Sequence, residues 1–184
     1  MNMQKLLITG FMASGKTTFW KKLQDSSSTE NYKFYDLDRV IYEHFSHEND
    51  SSLNDLIKRV GWEKFRHSES SCLSDLLSLN EKQVICLGGG ALNKSLINHI
   101  YENNYLLVWL DVDFKTCFTR MIKDKVKRPL LDQLSEEALH ELFNQRKSLY
   151  SKAQITLSLN DISQITTVHD LFAMRQVGRN IIKK

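Results

Sequence analysis

Leu6-Leu7-Ile8-Thr9-Gly10-Phe11-Met12-Ala13-Ser14-Gly15-Lys16-Thr17 is the stretch that decides the fold. Its first half is a short apolar run, which reads as a buried strand from Lys5 to Thr9. Its second half spells G-x-x-x-x-G-K-T, and the residues from Gly15 to about Gln24 can form a helix. A strand, a glycine-rich turn and a helix, in that order, make the setting a phosphate-binding P-loop requires. Glycine lets the backbone turn tightly and approach a ligand, and successive amides at the helix start then face an anion. Met12, Ala13, Ser14 and Gly15 are the candidates for that nucleotide cradle. Lys16 can reach the outer phosphates, and the Thr17 hydroxyl can ligate magnesium. A chain this long shows the pattern by accident on the order of once in a hundred, so a bare glycine turn beside a surface lysine explains it poorly.

Outward from that loop, 184 residues suit one domain, residues 1–184, large enough to bury a real core. A 41% hydrophobic share with 26% charged residues is ordinary for a soluble globular chain. The net charge of +3 is mildly basic and fits an anionic small-molecule substrate. No Arg/Lys-rich run interleaved with aromatics points to nucleic acid. Cys72, Cys86 and Cys117 are odd in number and not in C-x-x-C spacing, as expected of free thiols in a reducing compartment. The polar Met1–Lys5 and the short run after it do not make a secretory signal, and no stretch approaches a membrane span. The expectation is a cytoplasmic protein without nucleic-acid or membrane partners.

Apolar runs of strand length alternate with stretches of helical spacing, which argues for βαβ units. The predicted class is α/β: a central parallel five-stranded sheet with helices on both faces, a three-layer sandwich of the P-loop NTPase type. The further strands are Lys33–Tyr35, Gln83–Leu87, Tyr105–Leu110 and Ala153–Leu159. Helices are expected over Arg39–His47, Leu53–Val60, from Gly61 to about Leu79, Leu92–Glu102, Phe114–Ile122 and Ser135–Tyr150. Asp161 or Ser163 can cap a last one. The basic segment Lys123–Leu134 breaks the rhythm and holds Pro129, the single proline, which puts Arg128 at a loop or helix junction.

In an open parallel sheet, ligands bind outside the carboxyl ends of the strands. The P-loop, Asp36-Leu37-Asp38 and Gly88-Gly89-Gly90 all follow strands, so they should ring one cleft. Each has a plainer reading: Asp38 as the N-cap of the next helix, the glycines as a loop. Together, beside a P-loop, they favour a site. Asp38 is the candidate to orient an acceptor hydroxyl and take its proton. Asp36 can serve magnesium through water. Arg66, Arg128 and Arg146 suit planar anions, although solvent is the commoner fate of an arginine. His44 and His47 share a possible helix face, but no third ligand supports a metal-dependent hydrolase.

Taken together, GFMASGKT, Asp36-x-Asp38, Phe65-Arg66-x-x-Glu69, Gly88-Gly89-Gly90, Arg128-Pro129-Leu130-Leu131 and Arg146-x-x-x-Tyr150-x-x-Ala153 resemble the shikimate kinase family, over Leu6 to about Leu159. The resemblance implies ATP-dependent phosphorylation of the 3-hydroxyl of shikimate, in the pathway to aromatic amino acids, with Mg2+ as cofactor. It implies that Asp38 holds the diol hydroxyls, that Arg66 and Arg146 bind the carboxylate, and that Gly88, Gly89 and Gly90 contact substrate through backbone. Arg128 would come from a mobile lid, about 123–134, to the ATP phosphates, and Asp36 and Thr17 would act near magnesium. Lys16, Asp38 and Arg128 would carry catalysis, with Glu69 positioning Arg66 and the helical segment of about 39–79 holding the acceptor. ATP and shikimate are the expected partners of a monomer. Four features depart from the family pattern: Ala13 in place of glycine, Tyr42 and Trp62 in place of glutamate, a longer Lys16–Asp36 stretch, and an extended tail after Arg175. The rivals are another small-metabolite P-loop kinase, such as a gluconate kinase, and a nucleotide-binding module that has lost catalysis. The triple glycine and paired arginines argue against the first, and the retained Lys16 and Asp38 against the second.

Overall fold

Of the five short strands that carry the fold, the three inner ones are buried at every residue. The computed structural model describes residues 5–26, 31–123 and 134–182. The strands are β1 (Lys5–Thr9), β2 (Lys33–Asp36), β3 (Gln83–Cys86), β4 (Leu106–Leu110) and β5 (Ile155–Leu157). They pair in the order β2-β3-β1-β4-β5, all parallel. In the central strand Leu7 lies between Ile85 and Leu107. A side chain period of two sends alternate residues to opposite faces, and both faces are covered, so the inner strands read as nearly continuous apolar runs.

Between the strands lie α1 (Lys16–Ser26), α2 (Leu37–Phe45), α3 (Leu53–Val60), α4 (Trp62–Ser78), α5 (Lys94–Glu102), α6 (Phe114–Lys123) and α7 (Glu136–Tyr150); α8 (Leu159–Gln164) and α9 (Val168–Ile182) follow β5. One apolar layer joins Leu7, Ile85, Leu107 and Trp109 to residues of α2 through α7. The other joins Leu6, Ile8, Val84 and Val108 to Phe19, Trp20 and Leu23 of α1 and to Val168 and Leu171 of α9. Burying each such side chain contributes about 1.5–3 kcal/mol.

The expected parallel five-stranded sheet is present, and most elements fall within two residues of their expected bounds. The last part differs. The fifth strand stops at Leu157, and Ser158 caps α8 in a reciprocal box with Asp161. Asp161 therefore sits in the first turn and not at the cap, and a second helix, α9, begins after Thr167 takes the amide proton of Asp170. The first half of α9 is pinned: Arg175 donates to the Asn104 carbonyl at 3.1 Å and to Asn104 Oδ1 at 2.7 Å, and Phe172 stacks on Tyr32. A buried lysine also went unforeseen. Lys5 donates to the carbonyls of Leu77 and Leu79, fastening the end of α4 to the start of β1. Among the described residues no helix is long and apolar enough to cross a membrane.

Topology places the site. The connection from β1 runs through α1 on one face to β2, and that from β3 runs through α5 on the other face to β4. Right-handed crossovers departing to opposite sides leave a crevice at the carboxyl ends of β1 and β3.

Candidate active site

The loop after β1 curls tightly because three of its residues hold positive φ: Gly10 at +152°, Ala13 at +58° and Gly15 at +96°. At Gly10 a Cβ would stand 2.9 Å from Ser14 Oγ and 3.0 Å from the Leu110 carbonyl oxygen, so a side chain there would force the loop open. Lys16 crosses beneath the loop and donates to the carbonyls of Gly10 and Phe11, each at 2.9 Å. Thr17 is exposed to the cleft and its hydroxyl hydrogen-bonds to the Cys86 thiol, which burial pushes up to about 12.

Asp36 ends β2, and its carboxylate caps α2 by accepting the Asp38 amide at 3.1 Å. The capping role considered for Asp38 thus belongs to Asp36, two residues earlier. Asp38, inside the first turn, turns its carboxylate into the cleft. Loss of solvent, and then the negative charge of Asp36, raise it to about 6; Lys16 and Arg66 oppose the rise. Asp36 is also raised, chiefly by burial, against the Arg39 and Asp38 amides.

Each glycine of the triplet makes room for a different charged group. A Cβ at Gly88 would lie 2.7 Å from Asp38 Oδ1 and 2.8 Å from Glu69 Oε1. At Gly90 it would collide with the Arg66 guanidinium, 2.9 Å from Cζ. Gly89 faces Met12 and Arg146 Nη1 at ordinary contact distance. Arg66 and Glu69, one turn apart on α4, pair at 2.5 Å, while Glu69 Oε1 is buried and accepts no hydrogen bond among the described residues. Arg146 on α7 lies over the Phe11 ring at 5.7 Å and hydrogen-bonds to Tyr150. The Tyr150 hydroxyl in turn donates to the Gly89 carbonyl at 2.6 Å.

One cleft of about 620 Å³ is lined by Met12–Thr17, Asp36, Asp38, Arg66, Glu69, Gly88–Gly90 and Arg146. That volume suits a small-molecule site. Of the residues assigned to the site from the sequence, Arg128 lies outside the described ones; all the others line this cleft. His44 and His47 do not; among the described residues no group of three or more His, Cys, Asp or Glu could hold a metal ion. Sequence reasoning missed Arg120 on α6, whose Nη1 donates to the Ala13 carbonyl at 3.2 Å at the rim of the cleft. It also missed Lys22, which donates to the Ile162 and Ser163 carbonyls at 3.1 and 2.8 Å and draws α8 beside the loop. Their local sequence is that of any exposed basic helix residue.

A family model of shikimate kinase matches residues 12–180. The chain belongs to the shikimate kinase family. The shikimate kinase of Rippkaea orientalis is 35% identical over 167 residues, covering 87% of this chain and 84% of that protein. That of a Sulfurihydrogenibium species is 32% identical over 157 residues, covering 85% and 88%. The crystal structure of shikimate kinase from Aquifex aeolicus superposes with a TM-score of 0.72 at 27% identity, covering 96% of this chain and 98% of that one. The parallel sheet and the P-loop described above are thus those of a shikimate kinase, and α9, which runs on to Ile182, packs on the sheet through Val168 and Leu171.

Proposed function

We propose that this chain transfers the γ-phosphate of MgATP to the 3-hydroxyl of shikimate, giving shikimate 3-phosphate and ADP. The observation that carries the reading is the composition of the wall facing the P-loop. A carboxylate that can take a proton, Asp38, and two arginines, Arg66 and Arg146, converge on three glycines there. An acceptor with hydroxyls and one carboxylate matches that wall.

On this reading the loop amides of Met12, Ala13, Ser14 and Gly15, with Lys16 and Arg120, hold the triphosphate. Asp38 orients the hydroxyl. As the acceptor oxygen bonds to the γ-phosphorus and the bond to the β,γ-bridging oxygen breaks, the hydroxyl proton passes to Asp38 and ADP departs. Arg66, steadied by Glu69, and Arg146, steadied by Tyr150, hold the acceptor carboxylate. The Gly88–Gly90 backbone forms the floor. Phosphoryl transfer depends chiefly on such positioning and charge neutralisation. Arg128 is assigned to the ATP phosphates on its motif alone, in a lid of about 123–134. Thr17 and the half-buried Asp36 are oxygen donors of the kind magnesium accepts through water, and they are the residues proposed to hold it. Magnesium, when bound, would neutralise charge on the phosphates. The reading has the enzyme work as a cytoplasmic monomer, without nucleic-acid or membrane partners.

A coupled ADP-release assay tests the proposal. Shikimate should release ADP from MgATP, whereas gluconate and a shikimate analogue lacking the 3-hydroxyl should not. Arg66→Ala should raise the shikimate KM with little change for ATP. Absence of shikimate-dependent ADP from folded protein would overturn the assignment.

A further inference from the structure

Arg66 is gripped on three sides before any ligand arrives. Trp62, one turn earlier at the start of α4, lines the same cleft, and the Arg66 guanidinium carbon lies 5.2 Å from the centroid of its ring. Phe65, packed edge-on against Trp62 at 5.8 Å and 86°, adds a second ring 5.5 Å from that carbon. The Gly90 backbone touches the guanidinium so closely that no Cβ fits between them. Glu69 holds one nitrogen, Nη1. Nε and Nη2 make no hydrogen bond among the described residues, and 36% of the side chain is exposed.

We propose that Trp62 is a positioning residue that sets specificity for the acceptor carboxylate, by pressing the Arg66 guanidinium against Gly90 so that its unused N–H edge faces the cleft. An arginine presents its donors in a rigid planar fork, and fixing the plane in advance reduces the rotamer freedom lost on binding. An indole face is the strongest aromatic partner for a cation. It also adds no negative charge, so Glu69 remains the one carboxylate paired with Arg66, and the donors that Glu69 does not use stay open to an incoming carboxylate. This inference rests on the proposed carboxylate acceptor.

The test compares wild type, Trp62→Phe and Trp62→Ala on shikimate and on its neutral methyl ester, with MgATP saturating. Trp62→Ala should raise the KM for shikimate roughly three- to tenfold, leave kcat within about twofold, and leave the KM for the ester unchanged. Trp62→Phe, which keeps an aromatic face, should restore most of the shikimate KM. In an Arg66→Ala background the further change Trp62→Ala should add nothing, because the indole acts through the guanidinium. Wild-type turnover is scored first: if shikimate is not phosphorylated, the acceptor reading falls and this inference with it. If it is phosphorylated, then an unchanged shikimate KM in folded Trp62→Ala, an equal loss on acid and ester, or full additivity with Arg66→Ala overturns the role of Trp62 alone.

Discussion

Ala13 holds a φ of +58° in the middle of the phosphate loop, a conformation that costs a residue with a Cβ roughly 1–2 kcal/mol. Glycine would not incur that cost, although it would add freedom to the unfolded chain. Ala13→Gly should therefore raise the melting temperature by about 1–3 °C while retaining ATP binding; an unchanged or lower value would count against strain at this position. Asp38 offers a second reading at this scale. Its folded-state value, about 6, lies above the ordinary 3.8, so between those values the folded state binds more protons than the unfolded one. Stability is then lost as pH rises through the window. Asp38→Asn should be more stable than wild type at pH 7 by on the order of 2 kcal/mol, and the two should converge near pH 4 in parallel denaturant titrations. The same ionisation should make wild-type kcat/KM fall below about pH 6. Asp38 and the glycines were legible in the sequence because each follows a strand beside a P-loop, where plainer readings weaken in company, and Arg66 because it sits in the Phe65-Arg66-x-x-Glu69 pattern. Arg120 was not, because only the approach of α6 to the P-loop distinguishes it from a solvated arginine.

At the scale of elements, Ser52, Asn93 and Ser135 each cap a helix by accepting the amide three residues on; Asn93 shortens by two residues the helix expected from Leu92. The expected caps, Asp161 or Ser163, missed Ser158 because the strand was expected to run on to Leu159; only the end of β5 at Leu157 frees Ser158 to cap α8. The α2–α3 connection hid more. Asp50, with its side chain 4% exposed, pairs with Arg59 at 2.6 Å and accepts the His47 amide at 2.9 Å. Its backbone carbonyl takes the Tyr42 hydroxyl at 2.5 Å, and Arg59 also reaches the Phe45 carbonyl. Nothing in the spacing of a loop aspartate announces this brace, which involves residues nine apart in the chain and closes only when α3 folds back along α2. It supports Leu53 and Ile57, which line the acceptor side. Asp50→Asn should lower the melting temperature at pH 7. Because Arg59 holds the Asp50 carboxyl below the usual range, the difference should persist above about pH 4 and vanish as pH falls through the lower folded-state value. Equal differences at both ends of a pH series of melting curves would rule the ion pair out as the cause.

The whole molecule is two apolar layers on one sheet, with its chemistry gathered at one edge. The alternation of strand and helix made that architecture legible, since a continuous apolar strand implies cover on both faces. Strand order was not legible, because it depends on which crossovers turn left and which turn right from β1. A ligand that binds only the folded chain stabilises all of it: MgATP at a hundred times its dissociation constant should add about 2.7 kcal/mol. In a chain of this length that raises the melting temperature by roughly 5–11 °C. Lys16→Met should abolish the increase, and a retained increase would place the nucleotide elsewhere.

The buried amine of Lys5 gives α4, the longest described helix, a mechanical meaning. It fastens the carboxyl end of α4 to the sheet, while Trp62, Arg66 and Glu69 ride on the opposite end of the same rod. From Leu77 to Arg66 the helix spans about 17 Å. Over that lever arm a tilt of about 3° at the fastening swings the guanidinium by about 1 Å, a displacement that can slow a reaction about a hundredfold. The pivot for aiming the acceptor is thus at the amino-terminal edge of the central strand, at the far end of the strand from the phosphate loop.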